Sequence, residues 1–252
     1  MGSLQGRRAL VTGASQGIGK GIAAALLEAG CDVFMHCHAS EEGPMALEAQ
    51  AAGLGRRAGH WQGDLTVEAE ARACVKAAVE FLGGFDVLVN NAGALVGRRR
   101  LEEVDGEFWQ QVVDINMTTM MQVTREASPH LTEGGSSIVN LSSLAGRRGG
   151  HAGSLVYSMA KGAVLTWTRS LSTELAGRGV RVNAVAPGLI LGTRFHATHT
   201  TKKSADATIR QIPLGRAGTV ADVVRAVVFL ASEYDGFITG ATLDINGGVY
   251  CV

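Results

Sequence analysis

The chain has 252 residues, 46% of them hydrophobic and 18% charged, enough for one large α/β domain with a substantial core and incompatible with a disordered chain. Its 23 Lys and Arg balance 23 Asp and Glu, so no overall basic footprint points to nucleic acid. The four cysteines, Cys31, Cys37, Cys74 and Cys251, include no CxxC pair, which argues against a metal site or a disulfide framework and fits a reducing cytosol. No apolar run is long enough to span a bilayer, and the residues after Met1 lack the apolar core of a signal peptide. The expectation is a soluble, cytoplasmic protein with no nucleic-acid or membrane partner.

Residues 7–12 read as a buried strand running into Gly13, Gly17 and Gly19 and then an apolar-periodic helix to about residue 29. Glycines permit a tight turn and a close approach of backbone to a pyrophosphate, and the helix N-terminus supplies amide donors for it. The spacing is GxxxGxG, not the GxGxxG of the usual dinucleotide fingerprint. A second strand over 32–36 ends in His36-Cys37-His38, and a helix follows at 41–52. Residues 57–61 lead to Asp64-Leu65 and a helix over 67–82. A strand over 85–90 ends in Asn90-Asn91-Ala92-Gly93.

The stretch 101–128 reads as a long helical region containing Asn116 and ending at Pro129. A strand over 137–141 ends at Ser142-Ser143, and a glycine-rich loop over 146–153 leads into a helix carrying Tyr157 and Lys161. A strand over 180–186 precedes Pro187-Gly188. Residues 189–215 show no long clean period and hold Arg194, His196, His199, Lys202 and Lys203, as a functional or mobile lid would. A helix over 220–232 and a strand over 242–245 complete the alternation, which argues a parallel sheet covered on both faces within a single domain over 1–252. The basic runs Arg98-Arg99-Arg100 and Arg147-Arg148 read as solvated faces.

Tyr157 and Lys161, four residues apart on a helix, leave the same face. A tyrosine titrates at about 10, and a nearby positive charge favours phenolate and lowers that value. Tyr157 is then a candidate proton donor and acceptor for a carbonyl or an alcohol.

These residues, taken together and in order, resemble the short-chain dehydrogenase/reductases over nearly the whole chain, including 3-oxoacyl-carrier-protein reductases and sugar or polyol dehydrogenases. The resemblance implies a Rossmann-type, doubly wound parallel sheet of about seven strands. It implies an NAD(P)-dependent oxidoreductase that interconverts a secondary alcohol and a ketone by hydride transfer. Tyr157 would be the general acid or base. Lys161 would lower its pKa and bind the nicotinamide ribose, and Ser143, in preference to Ser142, would hold the substrate oxygen. Asn116 would support a water linking Lys161 to solvent. Cofactor contacts would come from Gly13, Ser15, Gln16, Gly17, Ile18 and Gly19 at the first turn. Asp64 would meet the adenine amino group beside Leu65, with Asn91, Ala92 and Gly93 along the adenine-ribose side. Pro187, Gly188 and Ile190 would lie at the nicotinamide end with Tyr157 and Lys161.

Two departures from the family pattern matter. Thr193 stands one position late after Pro187-Gly188, which leaves its role open. No carboxylate occupies the end of the second strand, where an NAD-selecting Asp usually binds the ribose hydroxyls, so the cofactor reads as NADP or NAD with a lean to NADP and with His38 or Ser40 near a 2′-phosphate. The basic and imidazole side chains of 189–215 suit a small polar or anionic substrate of sugar-acid type. The alternative is a 3-oxoacyl-carrier-protein reductase, to whose docking patch Arg178 could belong although Glu133 is acidic where such enzymes carry Arg. A remote alternative is a non-catalytic dinucleotide-binding protein on the same fold. A homotetramer is the family expectation.

Overall fold

The computed structural model describes residues 4–232 and 236–251, without the side chains of Phe195 and His196. Its strands are β1 (Arg8–Val11), β2 (Asp32–Cys37), β3 (Ala58–Gln62), β4 (Val87–Asn90), β5 (Ser137–Leu141), β6 (Arg181–Pro187) and β7 (Thr242–Ile245). They form one sheet in the order β3-β2-β1-β4-β5-β6-β7. Every neighbouring pair is parallel. The order turns between β1 and β4, so the crevice that a doubly wound sheet offers a ligand lies at the carboxyl ends of these two strands.

Strand parity explains the two cores. Ala9, Val11, Val87, Val89, Val139 and Val185 point to one face, where they meet α1 (Gly17–Glu28), α2 (Glu42–Gly53) and α10 (Val220–Ala231). Leu10, Leu88, Ile138 and Val182 point to the other, against α3 (Glu68–Leu82), α5 (Thr119–Ala127) and α7 (Leu155–Leu175). Both parities are apolar because both faces are covered, as parallel strands require.

Three stretches differ from their sequence reading. The helical region 101–128 is not continuous: α4 (Gly106–Val113) and α5 flank a π turn at Asp114–Thr118. Asn116 Nδ2 donates to the Val112 carbonyl four residues back, and this back-bonding accompanies the widened turn. The first part of the glycine-rich loop is the short helix α6 (Leu144–Arg148), which Ser143 caps by accepting from the Ala145 amide at 3.1 Å. The lid folds into two short helices, α8 (Arg194–His199) and α9 (Lys202–Ile209), the second capped by Thr201. Its His196 side chain lies outside the described residues. Among the described residues no helix is long and apolar enough to cross a membrane.

Candidate active site

A cleft of about 1140 Å³ opens at the carboxyl edge of the sheet. It gathers Gly13, Ser15 to Gly19, His38, Asp64, Leu65, Asn91 to Gly93, Ser143, Tyr157, Lys161, Pro187, Gly188, Ile190 and Arg194, whereas Ser40, His199, Lys202 and Lys203 do not line it. Asn116 does not line it either. It is 1% exposed and stands behind Gly93.

The first turn is built for backbone contact. Gly13 and Gly17 have φ of 66° and 57°, a region that side chains rarely adopt. A Cβ on Gly19 would fall 2.2 Å from the Gly13 carbonyl oxygen, so only glycine lets α1 start so close to the turn. No side chain caps α1 and no carboxylate sits in its first turn. Its leading amides therefore remain available, with the positive end of the helix dipole, to an anion such as a pyrophosphate. The free helix terminus and the tight glycine cradle fit the dinucleotide that the sequence implies.

Asn91 holds this turn against β4. Its side-chain amide donates to the carbonyls of Thr12 and Gly13 at 3.0 and 2.9 Å, and Thr12 Oγ1 accepts from the Asn91 and Ala92 amides. Asn91 lines the cleft as expected, yet its amide nitrogen is occupied by the turn. His36 does comparable work, which its sequence did not announce. Nδ1 accepts from the Gly13 amide at 3.1 Å and Nε2 faces the Gly63 carbonyl at 3.0 Å. One ring thus ties the glycine turn to the end of β3. Burial holds it down to about 4, so it is neutral at ordinary pH and carries its proton on Nε2.

The catalytic candidates converge at the other end. α7 presents Tyr157 and Lys161 on one face, with Lys161 Nζ 5.9 Å from the centre of the Tyr157 ring and donating to the Leu141 carbonyl at 2.9 Å. Ser143 hydrogen-bonds the phenol. Ser142 also lines the cleft but is buried and donates to the Lys161 carbonyl at 2.7 Å, which ties β5 to α7. Burial pushes the phenol up to about 12, against the Ser143 hydrogen bond, and pulls the Lys161 ammonium down to about 8. Loss of solvent sets the direction, and the lowering expected from Lys161 is not seen here. The phenol is a proton-bearing donor across the whole neutral range.

Asn116 clamps the strand end that carries Gly93. Its Nδ2 donates to the Ala94 carbonyl at 2.7 Å and its Oδ1 accepts from the Ala94 amide at 3.2 Å. A Cβ on Gly93 would lie 2.8 Å from Asn116 Oδ1 and 2.9 Å from Lys161 Nζ. Glycine at 93 leaves room between these two polar atoms on the scale of one water.

Asp64 accepts from the Thr66 amide and hydroxyl at 2.9 and 2.8 Å; burial opposes its charge, but these bonds hold the carboxyl below its usual range. Cys37 is fully buried with its thiol towards the Trp61 carbonyl, while His38 reaches the cleft and Ser40 does not line it. Beyond Pro187, the extra residue before Thr193 is absorbed at Gly192, where φ is 79°. Thr193 returns to within 3.6 Å of the position of a Cβ on Gly17 and donates to the Ile190 carbonyl. The late threonine reaches the head of α1 after all.

A parallel sheet that offers a glycine turn at one end of its crevice and a Ser-Tyr-Lys set on the cleft wall at the other defines a dinucleotide-binding oxidoreductase. The chain belongs to the short-chain dehydrogenase/reductases, NAD(P)-dependent enzymes acting on CH–OH groups. A family model described as enoyl-(acyl carrier protein) reductase matches residues 13–250. The chain is 37% identical over 245 residues to the 3-oxoacyl-(acyl-carrier-protein) reductase FabG of Staphylococcus aureus, covering 97% of this chain and 98% of that one. Among solved structures, it is similar to a short-chain dehydrogenase from Burkholderia cenocepacia in complex with NADP, with a TM-score of 0.92 and 34% identity over 98% and 99% of the two chains. It is also similar to the NADH-dependent reductase A1-R′ responsible for alginate metabolism, with a TM-score of 0.90 and 34% identity over 99% of each chain.

Proposed function

We propose that this chain interconverts a secondary alcohol and a ketone, with Tyr157 as the group that gives and takes the proton. The observation that carries the reading is the hydrogen bond between Ser143 and Tyr157 on the cleft wall, with Lys161 beneath the phenol. Two hydroxyls meeting at one point can hold a substrate oxygen between them. A bound nicotinamide supplies or accepts the hydride. In reduction Tyr157 donates its proton to the substrate oxygen as that oxygen gains charge, and in oxidation it takes the proton back. Ser143 positions the oxygen. Lys161 holds the ribose and places positive charge below the phenol, and Asn116 keeps the water path from Lys161 open at Gly93.

NADP is our preferred cofactor over NAD. With Cys37 buried, no carboxylate from that position repels a 2′-phosphate, and His38 stands in the cleft. The substrate is a small polar or anionic carbonyl compound of sugar type, received under the lid at 189–215, and the likeness to an alginate-metabolism reductase supports this class. The likeness to FabG favours a 3-oxoacyl-carrier-protein substrate as the second reading. Arg178 counts against it, because the guanidinium donates to Ser128 and lies 3.8 Å from Glu133. Leu155 and Met159 on α7, Trp109 on α4, and Phe229 and Phe237 are exposed apolar side chains, which suits a homotetramer. A scan of ketones, sugar acids and acyl thioesters with both nicotinamides tests the substrate class. Tyr157→Phe tests the mechanism: turnover falls by about 10²–10⁴-fold with cofactor still bound. Retention of most activity by that variant would sink the assignment.

A further inference from the structure

The two arginine runs are not uniform solvated faces. Arg99 pairs with Asp105 at 2.6 Å and lies 4.5 Å over the Phe108 ring. Arg147 makes two bonds of 3.0 Å to Asp244. Their neighbours Arg98 and Arg148 have no carboxylate partner among the described residues, and both line the cleft that holds Ser143 and Tyr157. Arg98 makes one long bond of 3.3 Å, to the Ala152 carbonyl. Glu107 and Asp114 open on to the same cleft without pairing with either arginine, and Asp114 already accepts from Gln110 and Thr118.

The backbone that places Arg98 is strained. Val96 has φ of 65° inside a turn closed by the Gly97 amide on the Leu95 carbonyl at 2.8 Å. A β-branched residue pays for that conformation, and such strain gathers at binding sites. Here it is held by packing among Val96, Phe108, Val112, Val156 and Tyr157. The same loop is tied to the one before α7 by the Arg99 amide on the Gly153 carbonyl at 2.9 Å and by the bridge between Arg99 and Ser154. Arg148 closes α6, the helix that Ser143 begins. The segments that position the proton donor and the substrate-holding serine therefore also carry the two cations. Arg194 of α8 lines the cleft from the lid, and burial together with the charge of Arg98 holds His199 below its usual range.

We propose that Arg98 and Arg148 form an anion subsite beside Ser143 and Tyr157, and that the substrate is a carbonyl compound whose far end carries a carboxylate or a phosphate. Guanidinium groups recognise either by charge-assisted, two-pronged hydrogen bonds. The proposal rests on the alcohol–ketone reading above. In reduction the hydride from the nicotinamide forms the new C–H bond, the C=O π pair goes to oxygen, and the Tyr157 proton completes the hydroxyl. The distal anion is untouched and serves for position.

The test uses the whole protein with NADPH and NADH and a panel of keto acids of increasing chain length, each beside its neutral amide and, where stable, the matching keto phosphate. In the wild type the anionic member should exceed its amide in kcat/KM by about tenfold or more, through KM, and the advantage should shrink with added salt. Arg98→Gln and Arg148→Gln should each raise KM for the anion about tenfold at unchanged kcat, leave the amide unaffected, and together erase the preference. Arg100→Gln, outside the cleft, should change neither. A keto phosphate that outperforms the carboxylate identifies phosphate as the group received. Equal use of acid and amide by the wild type, or a preference that survives the double variant, would overturn the subsite while leaving the alcohol–ketone reading in place. Turnover of no ketone on the panel would overturn both.

Discussion

Lys161 Nζ stands 5.9 Å from the centre of the Tyr157 ring and donates to the Leu141 carbonyl, so the ammonium is held under the phenol by the end of a core strand. Both groups have lost solvent, and the loss separates their titrations: the phenol goes up to about 12 and the ammonium comes down to about 8. In the reductive direction the donor stays protonated at every ordinary pH. The group that changes charge first is Lys161. Reduction should therefore decline as pH rises through about 8, while the phenol still bears its proton. Lys161→Arg, whose guanidinium keeps its charge, should lower the rate overall yet remove that decline. The measurement is kcat/KM from pH 6 to 10 at saturating cofactor; an unchanged profile in the arginine variant would assign the decline to another group.

Gly93 is the narrow point between Asn116 and Lys161. An added methyl would meet Asn116 Oδ1 and Lys161 Nζ inside 3.0 Å, and one of them must move. Gly93→Ala should keep the fold, since Gly93 is exposed to the cleft, and lose activity on the order of 10²-fold, the cost of misplacing a reacting group by about 1 Å. A melting curve close to the wild type with collapsed turnover is the expected pair of results. Near-normal turnover would show that the space at Gly93 is not used.

His36 offers a test of the cofactor end. Replacing it with Leu leaves the Gly13 amide and the Gly63 carbonyl without their partner, each at a cost of about 1–3 kcal/mol. The glycine turn then loses its tie to β3. Cofactor affinity should fall at least tenfold, read as Kd by nicotinamide fluorescence, with kcat at saturating cofactor close to the wild type. An unaltered Kd would mean that Asn91, Thr12 and the backbone bond from Ala14 to residue 36 suffice to hold the turn.

The ends of the apolar strands carried most of what the sequence could say. Gly13, Asn91, Ser143 and Pro187 each follow or end a short buried run, and a parallel sheet brings all such ends to one edge. What escaped was set by partners distant in the chain. Arg147 looks like Arg148 until Asp244, 97 residues on, is seen to bind one and not the other. His36 reads as the end of a strand, because its two partners are backbone atoms of other elements. The π turn at Asn116 escaped for a related reason, since the apolar period of 101–128 continues through it while the side chain bonds both Val112 and Ala94.

A pH dependence of stability should come from His60, which does not line the cleft. Its ring lies 2.7 Å from Glu48 and 2.9 Å from Glu41; burial opposes its charge, but the two carboxylates raise it above the ordinary 6.5. A group raised on folding stabilises fully below its unfolded value and loses that contribution as pH climbs through the folded one. Against His60→Gln, the wild type should be more stable at pH 6, by about 0.2–1 kcal/mol for each of these partly exposed pairs, and the difference should fade by pH 9. Denaturant midpoints at the two pH values decide it, and a constant difference would rule out the ion pairs as its source.

Ser142 and Ser143 are adjacent, yet they should fail in different ways. Ser142 is buried and its hydroxyl joins the end of β5 to the Lys161 carbonyl at 2.7 Å. Ser142→Ala should cost about 1–3 kcal/mol of stability by leaving that bond unmade, and should reach turnover only through a looser Lys161. Ser143 opens on to the cleft, binds Tyr157 and caps the five-residue α6. Ser143→Ala should lower kcat by about 10²-fold or more, as loss of a donor to a charging oxygen does, with about 1 kcal/mol lost from the cap. Ser143→Thr restores both the hydroxyl and the cap and should recover part of the rate, which a merely structural role at α6 would not separate from stability. Unfolding midpoints measured beside kcat for all three variants place each serine, and a Ser142→Ala enzyme slower than Ser143→Ala would reverse their roles.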